Sequence, residues 1–180
     1  FVGVDLGGVA ERDPDVVEAF EETMLRGSVE REGLDEAGRG DLDEEALDVG
    51  RANAKRNGVE VEFRHGDVFD ALRAFAAGPP GERPDLLVVD PAKWARDRAG
   101  LQAAIAKYRD LNRLALTAVA DGGLILSCSC SGLVSPDDFV GVLRAAALDL
   151  RTELRFHHVG GAALDHPVSS SFPEGRYLKC

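Results

Sequence analysis

The sequence predicts an α/β protein with a Rossmann-like, mostly parallel sheet and an antiparallel C-terminal hairpin. Three observations favour this class. From residue 41 onward, strand-like and helix-like periodicities alternate. The run at 85–90 (Asp-Leu-Leu-Val-Val-Asp) is continuously apolar between its acids, as is typical of a buried parallel strand. The last two strand-like segments have no helix between them, which favours a hairpin.

Each element follows from a local pattern. Residues 43–58 have a capping Asp43, acids in the first turn, bases in the last and Gly58 as a stop, so they predict a helix. Ser135, followed by Pro136 and two acids, predicts another helix start. The remaining predictions are strands at 59–63, 85–90, 124–128, 150–159 and 176–180, and helices at 69–77 and 101–120.

Residues 1–40 match this pattern poorly. A strand at 2–6 and a helix at 15–25 are the best interpretations, and 28–40 is Gly- and Glu-rich without an apolar period, which predicts a loop. We expect 1–40 to be an acidic, divergent or truncated lead. The sheet would then be incomplete at its N-terminal side.

Charge and composition limit the classes of protein. The net charge of −11 comes from residues 1–48, which hold 16 acidic and 4 basic side chains, whereas 49–180 hold 16 and 17. Basic residues cluster at 93–113, where they would meet phosphates or simply form a solvated face. No apolar run is long enough to span a membrane. Three cysteines make no disulfide framework, so we expect a reducing, cytoplasmic setting.

Polar residues follow four successive predicted strands, where ligands bind in open α/β sheets. Asp41, Asp67 and Asp90 would reach one rim, together with the cysteines of the segment 127–131 (Ser-Cys-Ser-Cys-Ser). Taken singly, each Asp is more often a helix cap or turn residue, and a strand Cys is usually a small buried hydrophobe. The coincidence at four strand ends favours a site.

Zinc binding and a redox pair are less consistent with the one-residue spacing of Cys128 and Cys130. Cys-x-Cys with His157 and His158 fits no closed four-ligand zinc pattern, and the two histidines would point to opposite faces of a strand. A redox pair is more usually Cys-x-x-Cys. The sequence therefore predicts no metal.

Several motifs in order resemble one family. They are 90–94 (Asp-Pro-Ala-Lys-Trp), 107–112 (Lys-Tyr-Arg-Asp-Leu-Asn), 122–132 (Gly-Gly-Leu-Ile-Leu-Ser-Cys-Ser-Cys-Ser-Gly), 165–167 (Asp-His-Pro) and 173–180 (Pro-Glu-Gly-Arg-Tyr-Leu-Lys-Cys). From about Asp41 to the end, the chain resembles the bacterial class I S-adenosylmethionine-dependent methyltransferases that make 5-methylcytosine in 23S ribosomal RNA. The resemblance implies that 41–180 is the catalytic domain.

The resemblance also implies residue roles. Asp41 would bind the ribose hydroxyls of S-adenosylmethionine, and Asp67 would contact its adenine end. Asp90 and Pro91 would form the pocket beside the cofactor and the target base. Cys130 would be the nucleophile, and its thiolate would need a nearby cation such as Lys93 or an arginine.

Substrate contacts would come from the basic cluster and an aromatic ring. Ribosomal RNA is the implied partner, with Lys93 and Arg109 as phosphate contacts. Trp94 would stack on a base, although core packing explains it equally well. His166 is expected to have a structural role in its loop.

The chain departs from the family in two places. Ala92 stands where the family typically has a second proline, which changes loop stiffness. The family's glycine-rich cofactor loop should lie some twenty residues before Asp41, and 26–38 lacks its Gly-Gly signature. The family's frequent N-terminal RNA-binding domain is not recognisable either. Two alternatives therefore stay open: a non-catalytic fragment of this fold, or a methyltransferase for another substrate.

Overall fold

The computed structural model describes residues 3–6, 38–162 and 166–180. These residues belong to two compact units, each taken by itself below. The first contains 38–71, and the second contains 3–6 together with the described residues from 72 onward. The boundary falls within helix α2, Val68–Ala77.

The first unit is built on a β–α–β arrangement. Strands β2, Gly38–Asp41, and β3, Glu62–His65, pair in parallel, and helix α1, Glu44–Asn57, connects them. The predicted helix boundaries are confirmed: the Asp43 side chain accepts the first free N–H groups, and Gly58 ends the helix at a φ of 67°. The helix packs closely on β3, since a Cβ added at Gly50 would lie 2.6 Å from the Phe63 ring.

The second unit is built on a four-stranded sheet with its strands in the order 86–89, 124–127, 3–6 and 154–158. Strands β4, Leu86–Val89, and β5, Leu124–Ser127, are parallel. Strand β1, Gly3–Leu6, runs antiparallel to both β5 and β6, Leu154–His158.

Helices α3, Leu101–Ala118, and α4, Pro136–Leu150, supply the core of the second unit. The predicted start of α4 is confirmed by a complete capping box between Ser135 and Asp138. Tyr108 of α3 and Phe139 of α4 are fully buried, with ring centroids 5.7 Å apart at nearly a right angle. The core cluster around them contains Ala95, Ala104, Val134, Val142 and Leu143.

Several boundaries differ from the sequence prediction. The strand expected at 59–63 lies instead at 62–65, because residues up to Val59 are held by the helix end, where the Val59 N–H bonds the Ala54 carbonyl. The expected loop at 28–40 includes β2 from Gly38 onward, whereas the rest of it and the helix expected at 15–25 lie outside the described residues.

Two strand predictions in the second unit were also wrong in detail. The apolar run around β4 predicted burial on both faces, but Val88 is 55% exposed in the described part of the chain. Within the sheet as described, β4 is an edge strand. The closing segment, 176–180, forms an isolated antiparallel bridge between Lys179 and Ser129 rather than a continuous strand. No helix among the described residues could cross a membrane.

Candidate active site

Asp41 and Asp67 lie at the carboxyl edge of the β2–β3 pair in the first unit. Asp41 ends β2 opposite His65, and its carbonyl accepts the Gly66 N–H at 2.9 Å. One Asp41 carboxylate oxygen accepts the Asp43 N–H at 3.1 Å. Asp67 accepts the Phe69 N–H at 2.7 Å and so stabilises the start of α2. The parallel pairing thus brings both acids to one edge, and both also have local structural roles.

Asp90 and Pro91 follow β4 in the second unit. The ladder continues past the strands, since the Cys128 N–H donates to the Val89 carbonyl at 2.9 Å, and Asp90 therefore comes next to the segment that contains the cysteines. Although Asp90 is exposed as a residue, partial desolvation of its carboxyl raises its pKa. Because its pKa is raised, the Asp90 carboxyl takes up a proton more readily than the carboxyl of free aspartate.

Alternate residues of the segment 127–131 face helix α3. The hydroxyl of Ser127 donates to the Asn112 Oδ1 at 2.7 Å. The hydroxyls of Ser129 and Ser131 lie 3.1 and 2.9 Å from the phenol oxygen of Tyr108. Tyr108 and Asn112 are one helical turn apart, so a single face of α3 satisfies all three serines. We call Ser127, Ser129 and Ser131 the serine face.

The serine face is buried and fully paired. Its three serines and Asn112 are each about 1% exposed or less. The Asn112 amide nitrogen donates to the Tyr108 carbonyl at 2.8 Å, and the Ser131 hydroxyl accepts the Ala95 N–H at 3.3 Å. A satisfied buried network of this kind fixes the backbone that carries the intervening cysteines.

Cys128 and Cys130 alternate with the serine face. Cys128 is buried, and Cys130 is partly exposed. The ammonium group of Lys179 interacts electrostatically with Cys130 and is itself buried, donating to the carbonyls of Ser131 at 2.7 Å and Tyr177 at 2.9 Å. Burial lowers the Lys179 pKa, and the electrostatic interactions with Cys130 and Cys180 act in the opposite direction. A cation is therefore held beside the candidate nucleophile.

The predicted substrate-binding residues have different surroundings. Lys93 is exposed. Trp94 packs against the core, with its ring 4.8 Å from that of Tyr108 and the Lys107 ammonium 4.3 Å above it. Arg109 forms a two-point ion pair with Asp149 of α4. Lys93 is therefore accessible to a ligand as it stands, whereas Trp94 and Arg109 already contact other residues of the protein.

Sequence reasoning missed three residues of this site. From the sequence, Lys179 is only part of a closing strand, and Lys93 or an arginine is the expected cation. Tyr108 and Asn112 belong to a motif in which neither has an assigned role. Their spacing of four, on a helix next to three alternating serines, is the signal that could have found them. Among the described residues, no group of three or more His, Cys, Asp or Glu side chains could hold a metal ion.

The architecture is the α/β Rossmann-like fold of methyltransferases, as predicted. A solved structure of a candidate methyltransferase complexed with SAH superimposes with a TM-score of 0.66 at 18% identity, over 82% of this chain and 38% of that one. A candidate SAM-dependent methyltransferase from Streptococcus mutans gives a TM-score of 0.63 at 17% identity, with the same coverage.

Curated proteins show sequence similarity as well. The chain is 41% identical over 142 residues to the ribosomal RNA large subunit methyltransferase I of Erwinia tasmaniensis. The proteins of the same name from Klebsiella pneumoniae and Escherichia coli are 39% and 38% identical over the same length. The match covers 77% of this chain but 35% of each relative, so the chain spans about a third of their length. No protein-family model matches the chain.

Proposed function

We propose that this chain is part of an S-adenosylmethionine-dependent methyltransferase of ribosomal RNA that forms 5-methylcytosine through a covalent intermediate on Cys130. The similarity to ribosomal RNA large subunit methyltransferase I sequences supports the reaction class and the RNA substrate. The observation that carries the cysteine chemistry is the partly exposed Cys130 beside the buried ammonium of Lys179. Residues 41–180 would form the catalytic part, working in the cytoplasm.

The first unit has the donor set that the cofactor needs at its nucleoside end. A carboxylate at the end of a parallel strand suits ribose hydroxyls, and Asp41 has this location at the end of β2. Asp67, at the same edge, would contact the adenine end. S-adenosylmethionine, when bound, supplies an electrophilic methyl group. The glycine-rich loop expected before Asp41 falls largely in 7–37, outside the described residues.

Cys130 would supply the nucleophile that cytosine needs. C5 of cytosine is too weakly nucleophilic to take a methyl group unaided. Addition of the Cys130 thiolate to C6 would convert the ring to an enamine whose C5 can be methylated. Loss of the C5 proton and of the thiolate would then restore the ring. The ammonium of Lys179, which donates to the Ser131 carbonyl, would put a positive charge close to the attacking sulfur.

Asp90 would hold the ring edge of the base. Burial raises its pKa, so this carboxyl exchanges a proton with the cytosine ring more readily than free aspartate would as electron density moves into the ring. The base must leave its stack to reach this pocket. Lys93 and Arg109 would contact the RNA backbone, Arg109 by exchanging Asp149 for a phosphate. Trp94 would stack on a base.

A covalent trap tests the proposal. The purified chain is incubated with S-adenosylmethionine and a ribosomal RNA fragment that contains 5-fluorocytosine, whose fluorine cannot leave as the proton does. We expect a stable protein–RNA adduct that maps to Cys130 by mass spectrometry. Cys130→Ala should abolish it, while the matched variant Cys128→Ala should retain it.

Cofactor binding separates the alternatives. Calorimetry that shows S-adenosylmethionine binding without an adduct would favour a methyltransferase for another substrate. No binding and no adduct would favour a non-catalytic fragment of the fold. An adduct that persists in Cys130→Ala would overturn the assigned nucleophile.

A further inference from the structure

Cys128 and Cys180 face each other across an antiparallel bridge. The backbones of Ser129 and Lys179 exchange two hydrogen bonds, of 2.9 and 3.1 Å. The adjacent pair on one side is Cys128 with Cys180. Their own N–H groups point outward, to Val89 and Gly160. The cysteines therefore form a non-hydrogen-bonded pair, whose Cα atoms lie about 4.5 Å apart in such ladders. Disulfides span roughly 4.4–6.8 Å between Cα atoms.

The two thiols also contact each other. The Cys128 thiol donates a hydrogen bond to the Cys180 sulfur, and this bond is the main reason that the pKa of Cys180 is lowered and that of Cys128 is raised. Cys128 therefore holds the shared proton more firmly, and Cys180 is the thiol of the pair that ionises more readily. Cys128 is buried and Cys180 is only partly so, which gives a small disulfide reagent access to the more nucleophilic sulfur.

We propose that Cys128 and Cys180 form a reversible redox modification site, in which a low-molecular-weight disulfide such as oxidised glutathione converts the pair to a disulfide. The inference stands on the strand register and is independent of the proposed function. The bond joins β5 to the closing segment, 176–180, and leaves Cys130 as the free thiol.

The exchange balances in two steps. The Cys180 thiolate attacks one sulfur of oxidised glutathione, so a mixed disulfide forms and one glutathione thiolate leaves. Cys128 then gives its proton to solvent, and its sulfur attacks the Cys180 sulfur, releasing the second glutathione. Two protein thiols are oxidised, and one glutathione disulfide is reduced to two thiols. Excess reduced glutathione reverses both steps.

Alkylation and mass spectrometry test this site on the whole chain. The protein is equilibrated with oxidised glutathione, quenched with N-ethylmaleimide under denaturing conditions and weighed. We expect one maleimide adduct instead of the three found after dithiothreitol, and a Cys128–Cys180 cross-linked peptide after digestion. Cys180→Ser should remove the cross-link, and Cys130→Ser should retain it.

Two outcomes would overturn the proposal. One is three maleimide adducts at every glutathione ratio, which would mean that the pair does not oxidise. The other is a cross-link that includes Cys130, which would mean that the register does not select the partner. Neither result bears on whether Cys130 forms an adduct with RNA, so this proposal and the proposed function fail separately.

Discussion

The two faces of the segment 127–131 differ in what surrounds them. The serine face meets helix α3, where every hydroxyl has a partner and nothing is exposed. The cysteines between those serines have charged neighbours instead, since Asp90 interacts electrostatically with Cys128 and Lys179 interacts with Cys130. One strand end therefore combines a fixed face with a reactive one.

The segment alternates small polar residues with thiols because its two faces have different tasks. A nucleophile must keep a defined geometry, and a strand end is held less firmly than a strand centre. The hydrogen bonds that Ser127 and Ser129 donate to Asn112 and Tyr108 compensate by anchoring the segment on the opposite face. Substitutions on the serine face should therefore change stability, and substitutions among the cysteines should change reactivity.

Substitutions of Tyr108 should change the unfolding free energy most. Tyr108→Ala removes a fully buried ring that packs on Trp94 and Phe139, and should cost about 3–5 kcal/mol of unfolding free energy. Tyr108→Phe keeps the ring but removes the phenol oxygen to which the hydroxyls of Ser129 and Ser131 are hydrogen-bonded, and should cost about 1–3 kcal/mol. Urea unfolding measures both.

The matched control lies on the other face. Cys130→Ser should change the unfolding free energy by no more than about 0.5 kcal/mol, because Cys130 is partly exposed and outside the network. If Cys130→Ser destabilises the chain as much as Tyr108→Phe does, the division between the two faces is wrong.

Substitution of Lys179 should have an intermediate effect, on the reactivity of Cys130. Lys179→Met removes the cation that interacts electrostatically with Cys130 and Cys180, so alkylation of Cys130 by iodoacetamide should slow roughly threefold. Peptide mass spectrometry follows each cysteine separately. Lys93→Met, an exposed lysine in the same unit, is the control and should leave the rate unchanged.

Faster alkylation of all three cysteines in Lys179→Met would indicate unfolding rather than loss of a charge. An unchanged Cys130 rate in a folded Lys179→Met protein would contradict the role given to this lysine. These two results are distinguishable because Cys128 is buried in the folded chain and reports its integrity.

The sequence predicted the ends of helices well, but it did not predict which strands pair with which. The ends of α1 follow from Asp43 and Gly58, and the start of α4 follows from Ser135, because caps depend on residues a few positions apart. The surroundings of β4 and of the closing segment depend on which strands lie beside them, which no local pattern encodes. Lys179 was missed for the same reason: it lies 49 positions from Cys130 in the chain, yet the bridge at Ser129 brings it there.

Substitution of Arg109, which lies on the exposed side of α3, should have the smallest effect. Arg109 holds Asp149 in a two-point ion pair, and its hydrogen bond lowers the pKa of that carboxyl. A carboxyl whose pKa is lowered in the folded state stabilises the fold at pH values above its unfolded pKa of about 4. This stabilisation is lost as the pH falls through the pKa of the folded state. Arg109→Met should therefore be slightly less stable than the parent protein at pH 7, and the difference should vanish at lower pH. Thermal unfolding at several pH values measures this.

Arg144→Met is the matched control, because it removes a cation from α4 while Asp149 keeps its partner. If Arg109 instead serves mainly to bind RNA, Arg109→Met should lower the salt dependence of RNA binding more than Arg144→Met does. The reason is that a protein that neutralises one phosphate fewer releases about one counterion fewer. Equal salt slopes in the two variants, together with the pH-dependent loss of stability, would assign Arg109 to the α3–α4 contact.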